Sequence, residues 1–277
     1  FEETQMLTGD IFASYCAPIK TWNYAGEQDN DCYKLYPQWY NSPFSTAYTE
    51  VMQPWRKVVD CTSGTSPARA MATIVKVFGM SRITDKYGPI PYSKFGTGIQ
   101  VAYDSQKDVY YRFFEELSNA IEVLTSYNSR TSEPYLEDYD YIYNGNVANW
   151  IKFANTLRLR LAMRISAVDP DKARAEFRKG LENEFGVFEA EAERVAVSTK
   201  SGFTNPLGEL NRVWNETYMS AAMESILTGY DDPRLKVYFE TCTDKAYAGE
   251  YRGIRQGTCF AHNHYAGLSK LSVDQST

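Results

Sequence analysis

Positive charge, histidine and long apolar runs are all scarce in this sequence, and each shortage removes a class of function. Lys and Arg together number 29 against 35 Asp and Glu, which leaves a net charge of −6. A nucleic-acid binder carries a basic patch or stripe, and none is visible. Long-range steering of anionic substrates is not expected of such a charge. No stretch approaches the roughly 20 apolar residues that a membrane-spanning helix needs. The opening Phe1-Glu2-Glu3-Thr4 carries no secretory pattern. It reads as mid-protein, so any export signal or lipidated cysteine is expected outside this chain.

Catalytic signatures are missing too. There is no GxSxG, no HExxH and no phosphate-binding P-loop, and Gly96-Thr97-Gly98 lacks the third glycine of a dinucleotide fingerprint. The two histidines, His262 and His264, follow Cys259 in a Cys-x-x-His-x-His run. Zinc needs a fourth ligand, no partner motif supplies one, and the run reads as a solvent-facing loop. Five cysteines without a CxxC do not make a disulfide scaffold in a chain of 277 residues. One or two bridges stay open in an oxidising compartment. With 35 acids, a glycosidase pair of carboxylates also stays open.

What the sequence has in plenty is aromatic surface. Twenty-two Tyr, 14 Phe and five Trp give 15% aromatic residues. Tyr and Trp join a flat apolar face to a polar tip. A sugar offers the complement, an apolar C–H face ringed by hydroxyls. The competing fate of any one ring is packing between helices. Residues 21–43 concentrate Trp22, Tyr24, Tyr33, Tyr36, Trp39 and Tyr40 in what reads as a long surface loop. A second loop, residues 133–144, is acidic and rich in Tyr.

Elsewhere the period is helical. Val109, Phe113, Leu117, Ala120, Ile121 and Leu124 form one stripe in a helix over 105–127, capped by Asp104 or Ser105. Trp150, Ile151, Ala154, Leu157 and Leu161 mark a second over 147–168. Asp169-Pro170 caps a third that ends at Leu181, and Ser66-Pro67 opens one that reaches Thr84. Further helices are expected over 2–17, 44–60 and 216–228, the last stopped by Gly229. Residues 187–197 allow a little β structure. Asn215-Glu216-Thr217 is a formal glycosylation sequon, read here as an ordinary helix cap. Asp231, Asp232 and Arg234 read as a pinned loop after a helix, and Asp85 with Lys86 reads likewise as structural. The expected fold class is mainly all-α, a tetratricopeptide-like helical array with long loops and minor β structure, although consensus tetratricopeptide residues are absent.

Four segments resemble the SusD/RagB family of outer-membrane nutrient-binding lipoproteins. They are Asp85-Lys-Tyr87-Gly88-Pro89-Ile90-Pro91-Tyr92; Tyr103-Asp104-Ser105 through Ile121; Trp150-Ile-Lys-Phe153 through Arg164; and Leu227-Thr-Gly229 through Leu235, followed by Tyr251-Arg-Gly253. They come in the family's order and span roughly residues 44–257. The resemblance implies one SusD-like helical domain over 1–277, with a further C-terminal part in longer members. It implies capture of oligosaccharide at the cell surface, beside a SusC-like TonB-dependent transporter, by a lipoprotein anchored to the outer membrane through an N-terminal lipid outside this chain. No reaction, cofactor, metal or nucleic acid is implied. Peptide capture, as in the RagB branch, and a glycoside hydrolase on a helical scaffold are the alternatives. The family's glycan sites lie on variable loops, so no binding residue carries over by motif. From the residues themselves, Trp39 and Tyr40 come first as ligand contacts, then Tyr36, Trp22 and Trp214, with Gln38, Asn41 and Asn30 as polar neighbours.

Overall fold

A computed structural model of the chain describes residues 8–19, 34, 36–197, 202, 205–215, 217–257 and 265–272. The elements in chain order are β1 (Cys16–Ala17), α1 (Pro37–Ala47), α2 (Gln53–Cys61), α3 (Pro67–Tyr87), α4 (Gln106–Asn128), α5 (Val147–Ile165), α6 (Pro170–Leu181), α7 (Pro206–Arg212), β2 (Tyr218–Met219), α8 (Ala221–Gly229) and α9 (Leu235–Tyr238). They fall into two compact units, one of residues Phe44–Ser201 and one of Phe1–Pro43 with Gly202–Thr277.

The first of these units is the helical array. Successive helices pack on one another, α3 on α4, α4 on α5 and α5 on α6. One continuous core results, with Ile74, Val77, Met80, Phe113, Phe114, Leu117, Leu124 and Ile151 at its centre. The stripes predicted for α4 and α5 are the faces buried here. Ser105 caps α4 by accepting from the Asp108 N–H at 3.1 Å, and Asp169 caps α6 by accepting from the Lys172 N–H at 3.2 Å. Asp104 does a different job. Its carboxylate accepts from the Tyr92 and Ser93 N–H groups and closes the 90–104 loop. Between α1 and α2 the chain makes a π turn over Tyr48–Met52. The Gln53 N–H bonds the Tyr48 carbonyl, and Pro54 follows with no N–H to offer, so the ladder re-registers there.

Charged side chains stitch the helices at depth. Lys76 of α3 is 1% exposed and pairs with Glu116 of α4 at 2.7 Å. Glu116 also accepts from the Tyr92 hydroxyl at 2.5 Å. Asp85 of α3 accepts from the Tyr110 hydroxyl of α4 at 2.5 Å and pairs with Arg164 of α5 at 2.7 Å. Arg158 of α5 donates to Ser118 of α4 at 2.7 Å and faces Glu176 of α6 at 3.8 Å. Glu176 in turn takes Lys172 and Lys179 at 3.0 and 2.9 Å.

The other unit is built from small pieces. β1 and β2 pair antiparallel, with Cys16 opposite Met219. In this unit the chain departs from the sequence expectation at three places. Residues 8–12 are helical, but Ser14 adopts φ 57° and the chain then enters β1, so no helix continues to residue 17. The predicted 216–228 helix starts at Ala221, capped by Ser220, because Tyr218 and Met219 are wholly buried in the strand pair. Pro37 opens α1 inside the predicted loop. In the helical array, residues 187–197 hold a 3₁₀ turn over Glu191–Glu193 where β structure was expected. Gly253 sits against the Ser220 backbone so closely that a Cβ would collide with its carbonyl. Its N–H donates to Glu224 at 2.7 Å.

Two outcomes are expected. Gly253→Ala lowers stability by about 2–3 kcal/mol, because backbone on both sides must move; urea unfolding measures it. Burial works against the charge of Glu176, but bonds from Lys179 and Lys172 and the charge of Arg158 outweigh it and hold its carboxyl below the ordinary range. That contribution is present above the unfolded carboxylate range and fades as pH falls through the lowered folded value. Stability measured against pH therefore declines on the acid side, and Glu176→Gln removes part of the slope.

Candidate functional site

Stacking on a sugar needs an exposed ring held still, with polar groups beside it. Trp39 lies on α1 and is 8% exposed, packed with Ile11, Cys16 and Leu210. Tyr36 meets it edge-on, ring centroids 5.2 Å apart at 73°. The Tyr36 hydroxyl points outward, 3.4 Å from Gln38 Oε1. Tyr40 is half-buried and Asn41 is exposed. Trp22 and Asn30 lie outside the described residues, as do Cys259, His262 and His264.

Trp214 is the exposed indole of this set, with 43% of its surface open. It stands just past α7, where the Val213 and Trp214 N–H groups both bond the Glu209 carbonyl, at 2.9 and 3.3 Å. Asn215 follows with φ 54°. The Tyr218 hydroxyl, between the Asn215 side-chain carbonyl and the Ala266 carbonyl at 3.2 Å from each, fixes that turn. The indole is thus exposed on a short, bonded segment with a carboxamide next to it. Among the described residues no ring contact joins Trp214 to Trp39 or Tyr36. Cys16 is buried in the Trp39 cluster, and burial, with the nearby Asp10 charge, pushes its thiol up to about 12, where it is inert.

A second aromatic surface lies in the helical array, on the acidic loop between α4 and α5. Its organiser is Asp140, 8% exposed. One carboxylate oxygen accepts from the Ile142 and Tyr143 N–H groups at 3.0 and 3.1 Å. The other accepts from the Gly145 N–H at 2.9 Å and the Trp150 indole at 2.7 Å. Gly145 is required there: φ is 80°, and a Cβ would meet the Tyr135 nitrogen at 2.8 Å. Tyr143 turns inward onto Trp150 and donates to the Glu193 carbonyl at 3.0 Å. Tyr139 and Tyr141 turn outward, 77% and 45% exposed. Sequence reasoning marked the loop as Tyr-rich but did not single out these two rings; the inward anchors that separate them from Tyr143 have no periodic signal.

The motif residues do other work. Asp85, Tyr110 and Arg164 tie three helices together, as described above. Asp232 clasps Arg234, whose backbone and side chain both donate to it, which holds the Asp232 carboxyl down to about 2. The recognisable segments therefore build scaffold, and the carboxylates of Asp85, Asp104, Glu116 and Asp232 are engaged in it.

Comparison with known proteins agrees with the fold. Residues 1–277 match the SusD-like family, described as Susd and RagB outer membrane lipoprotein. A chitin-binding SusD homolog from Flavobacterium johnsoniae superposes with a TM-score of 0.91 at 34% identity, covering 100% of this chain and 57% of its own. A SusD homolog from Bacteroides vulgatus gives 0.89 at 33%, covering 100% and 56%. A SusD-like protein from Bacteroides thetaiotaomicron gives 0.87 at 28%, covering 99% and 56%. The chain thus spans a little over half the length of these structures. Among curated proteins none matches.

Asp140→Ala strands three backbone donors and the Trp150 N–H. The expected cost is roughly 2–4 kcal/mol, with faster amide exchange at Ile142, Tyr143 and Gly145 while α3 amides keep their protection. Hydrogen exchange read by NMR checks both parts.

Proposed function

The chain belongs to the SusD-like family of outer membrane lipoproteins, and from that premise we propose that it captures glycan at the cell surface for import and performs no reaction on it. The observation that carries the reading is the 34% identity, over the whole of this chain, to a homolog that binds chitin. Oligomers of N-acetylglucosamine are therefore the first ligand to try. The partner we propose is a SusC-like TonB-dependent transporter, with the protein held at the outer membrane by a lipid.

The contacts we propose are Trp214, Tyr40, Tyr36 and Trp22, with Trp39 as the buried ring that backs Tyr36. Trp214 offers an indole face, and the Asn215 carboxamide stands next to it in sequence. Stacking supplies apolar contact to the C–H face, and neighbouring amides take the hydroxyls. A carboxamide both donates and accepts, as a hydroxyl does. Affinity per site is modest, since each immobilised group offsets part of the contact energy.

Calorimetric titration with chitohexaose, preceded by a glycan array, tests this. Trp214→Ala or Tyr40→Ala is expected to weaken binding roughly fivefold to tenfold, the worth of one aromatic contact of about 1 kcal/mol. The oligosaccharide should be recovered uncleaved after long incubation. Binding of no glycan on the array, or release of shorter sugars, would overturn the proposal.

A further inference from the structure

The helical array holds a cleft with an aromatic wall. A cleft of about 480 Å³ opens where the α2 end, α3 and α4 come together. That volume lies within the roughly 300–1,000 Å³ range of small-molecule sites. Trp55 forms one wall, its indole N–H fixed to Thr73 at 3.1 Å. The Lys76 ammonium sits 3.7 Å from the Trp55 ring centroid and is matched by Glu116. The indole is thereby clamped at its edge and on one face. Helical spacing then delivers the arms. Arg69 and Thr73 share a face of α3, and Glu116, Asn119 and Val123 share a face of α4, with Glu122 at the rim.

Three of those arms are idle. The side chains of Arg69, Asn119 and Glu122 make no hydrogen bond or ion pair among the described residues. Arg69 donates only, Glu122 accepts only, and Asn119 does both. A hydroxyl, both donor and acceptor, suits all three at once. An anion meets Glu122 and an amine meets Arg69, each a like-charge contact. Arg69 and Glu122 cancel, as do Lys76 and Glu116, so the cleft has no net charge to attract an ion. A zwitterion has to shed the hydration of two full charges, whereas a hydroxyl sheds much less. We infer that the Trp55 cleft is a separate subsite for a neutral pyranose unit, stacked on Trp55 and held through its hydroxyls by Arg69, Asn119 and Glu122. The identity of the ligand rests on the glycan reading above; the location does not use Trp214 or its neighbours.

Saturation-transfer NMR on the full chain with N,N′-diacetylchitobiose and with maltose tests it, in wild type and in a Trp214→Ala/Tyr40→Ala background. A disaccharide is expected to bind still in that background. Adding Arg69→Ala or Asn119→Ala, both on helix surfaces, should weaken it by about fivefold, one hydrogen bond's worth. Trp55→Phe should keep the fold and move the saturation pattern of the ring protons. Binding in wild type that vanishes in the background overturns this subsite and leaves the first reading standing. Affinity unchanged by Arg69→Ala and Asn119→Ala, or displacement of the sugar by glycylglycine, also overturns it. Binding of neither sugar to wild type overturns this subsite, and the glycan array decides the first reading separately.

Discussion

The ammonium of Lys76 is withdrawn from water between α3 and α4, and few groups can compensate it there. Glu116 does so at 2.7 Å, and the faces of Trp55 and Tyr92 lie 3.7 and 4.5 Å from it. Burial lowers the lysine pKa while Glu116 raises it again, with burial the larger effect. Stripping water from such a pair costs several kcal/mol for each ion. An alternative register of α3 on α4 would leave that cost without its return. The same pair fixes three other things: the rotamer of Trp55, the hydroxyl of Tyr92 and so the start of the 90–104 loop. Elsewhere the half-exposed Arg164 of α5 bonds Asp85 of α3, and the buried Arg158 and Glu176 face each other at 3.8 Å between α5 and α6. The array is held by apolar area and aligned by charges.

This division explains why recognition and site diverge. Within the four segments that resemble the family, Asp85, Asp104, Tyr110, Arg158, Arg164, Asp232 and Gly253 all bond within the scaffold. A group so engaged is poorly placed to serve a ligand as well. Rings that remain open, such as Trp214, Tyr139 and Tyr141, belong to connecting segments.

The helices were legible because their stripes repeat every 3.6 residues and their caps are local. Ser105, Asn146 and Asp169 each cap within three residues of the helix they start. The strand pair was not legible, since Cys16–Ala17 finds Tyr218–Met219 across some 200 positions and each strand has two residues. Nor was the fate of Trp39. Its position in a Tyr- and Trp-rich stretch suggests a surface ring, yet Ile11 and Leu210 arrive from distant segments to cover it. Trp55 falls inside the helix expected over 44–60. Its cleft emerges only when the stripes of α3 and α4 are set side by side.

The anchored loop has one more consequence, for how such a protein diversifies. Asp140 gathers its bonds from backbone N–H groups and from Trp150, none of them from the side chains of Tyr139 or Tyr141. The loop is thus held by the Asp140 carboxylate, Gly145, the Trp150 indole and backbone bonds such as that from the Tyr135 N–H to the Gly145 carbonyl. The outward side chains take no part in those bonds. Mutational drift at 139 and 141 can try ring after ring, or none, on a mount that does not change. A lineage built this way can alter what it meets outside without relearning how to fold.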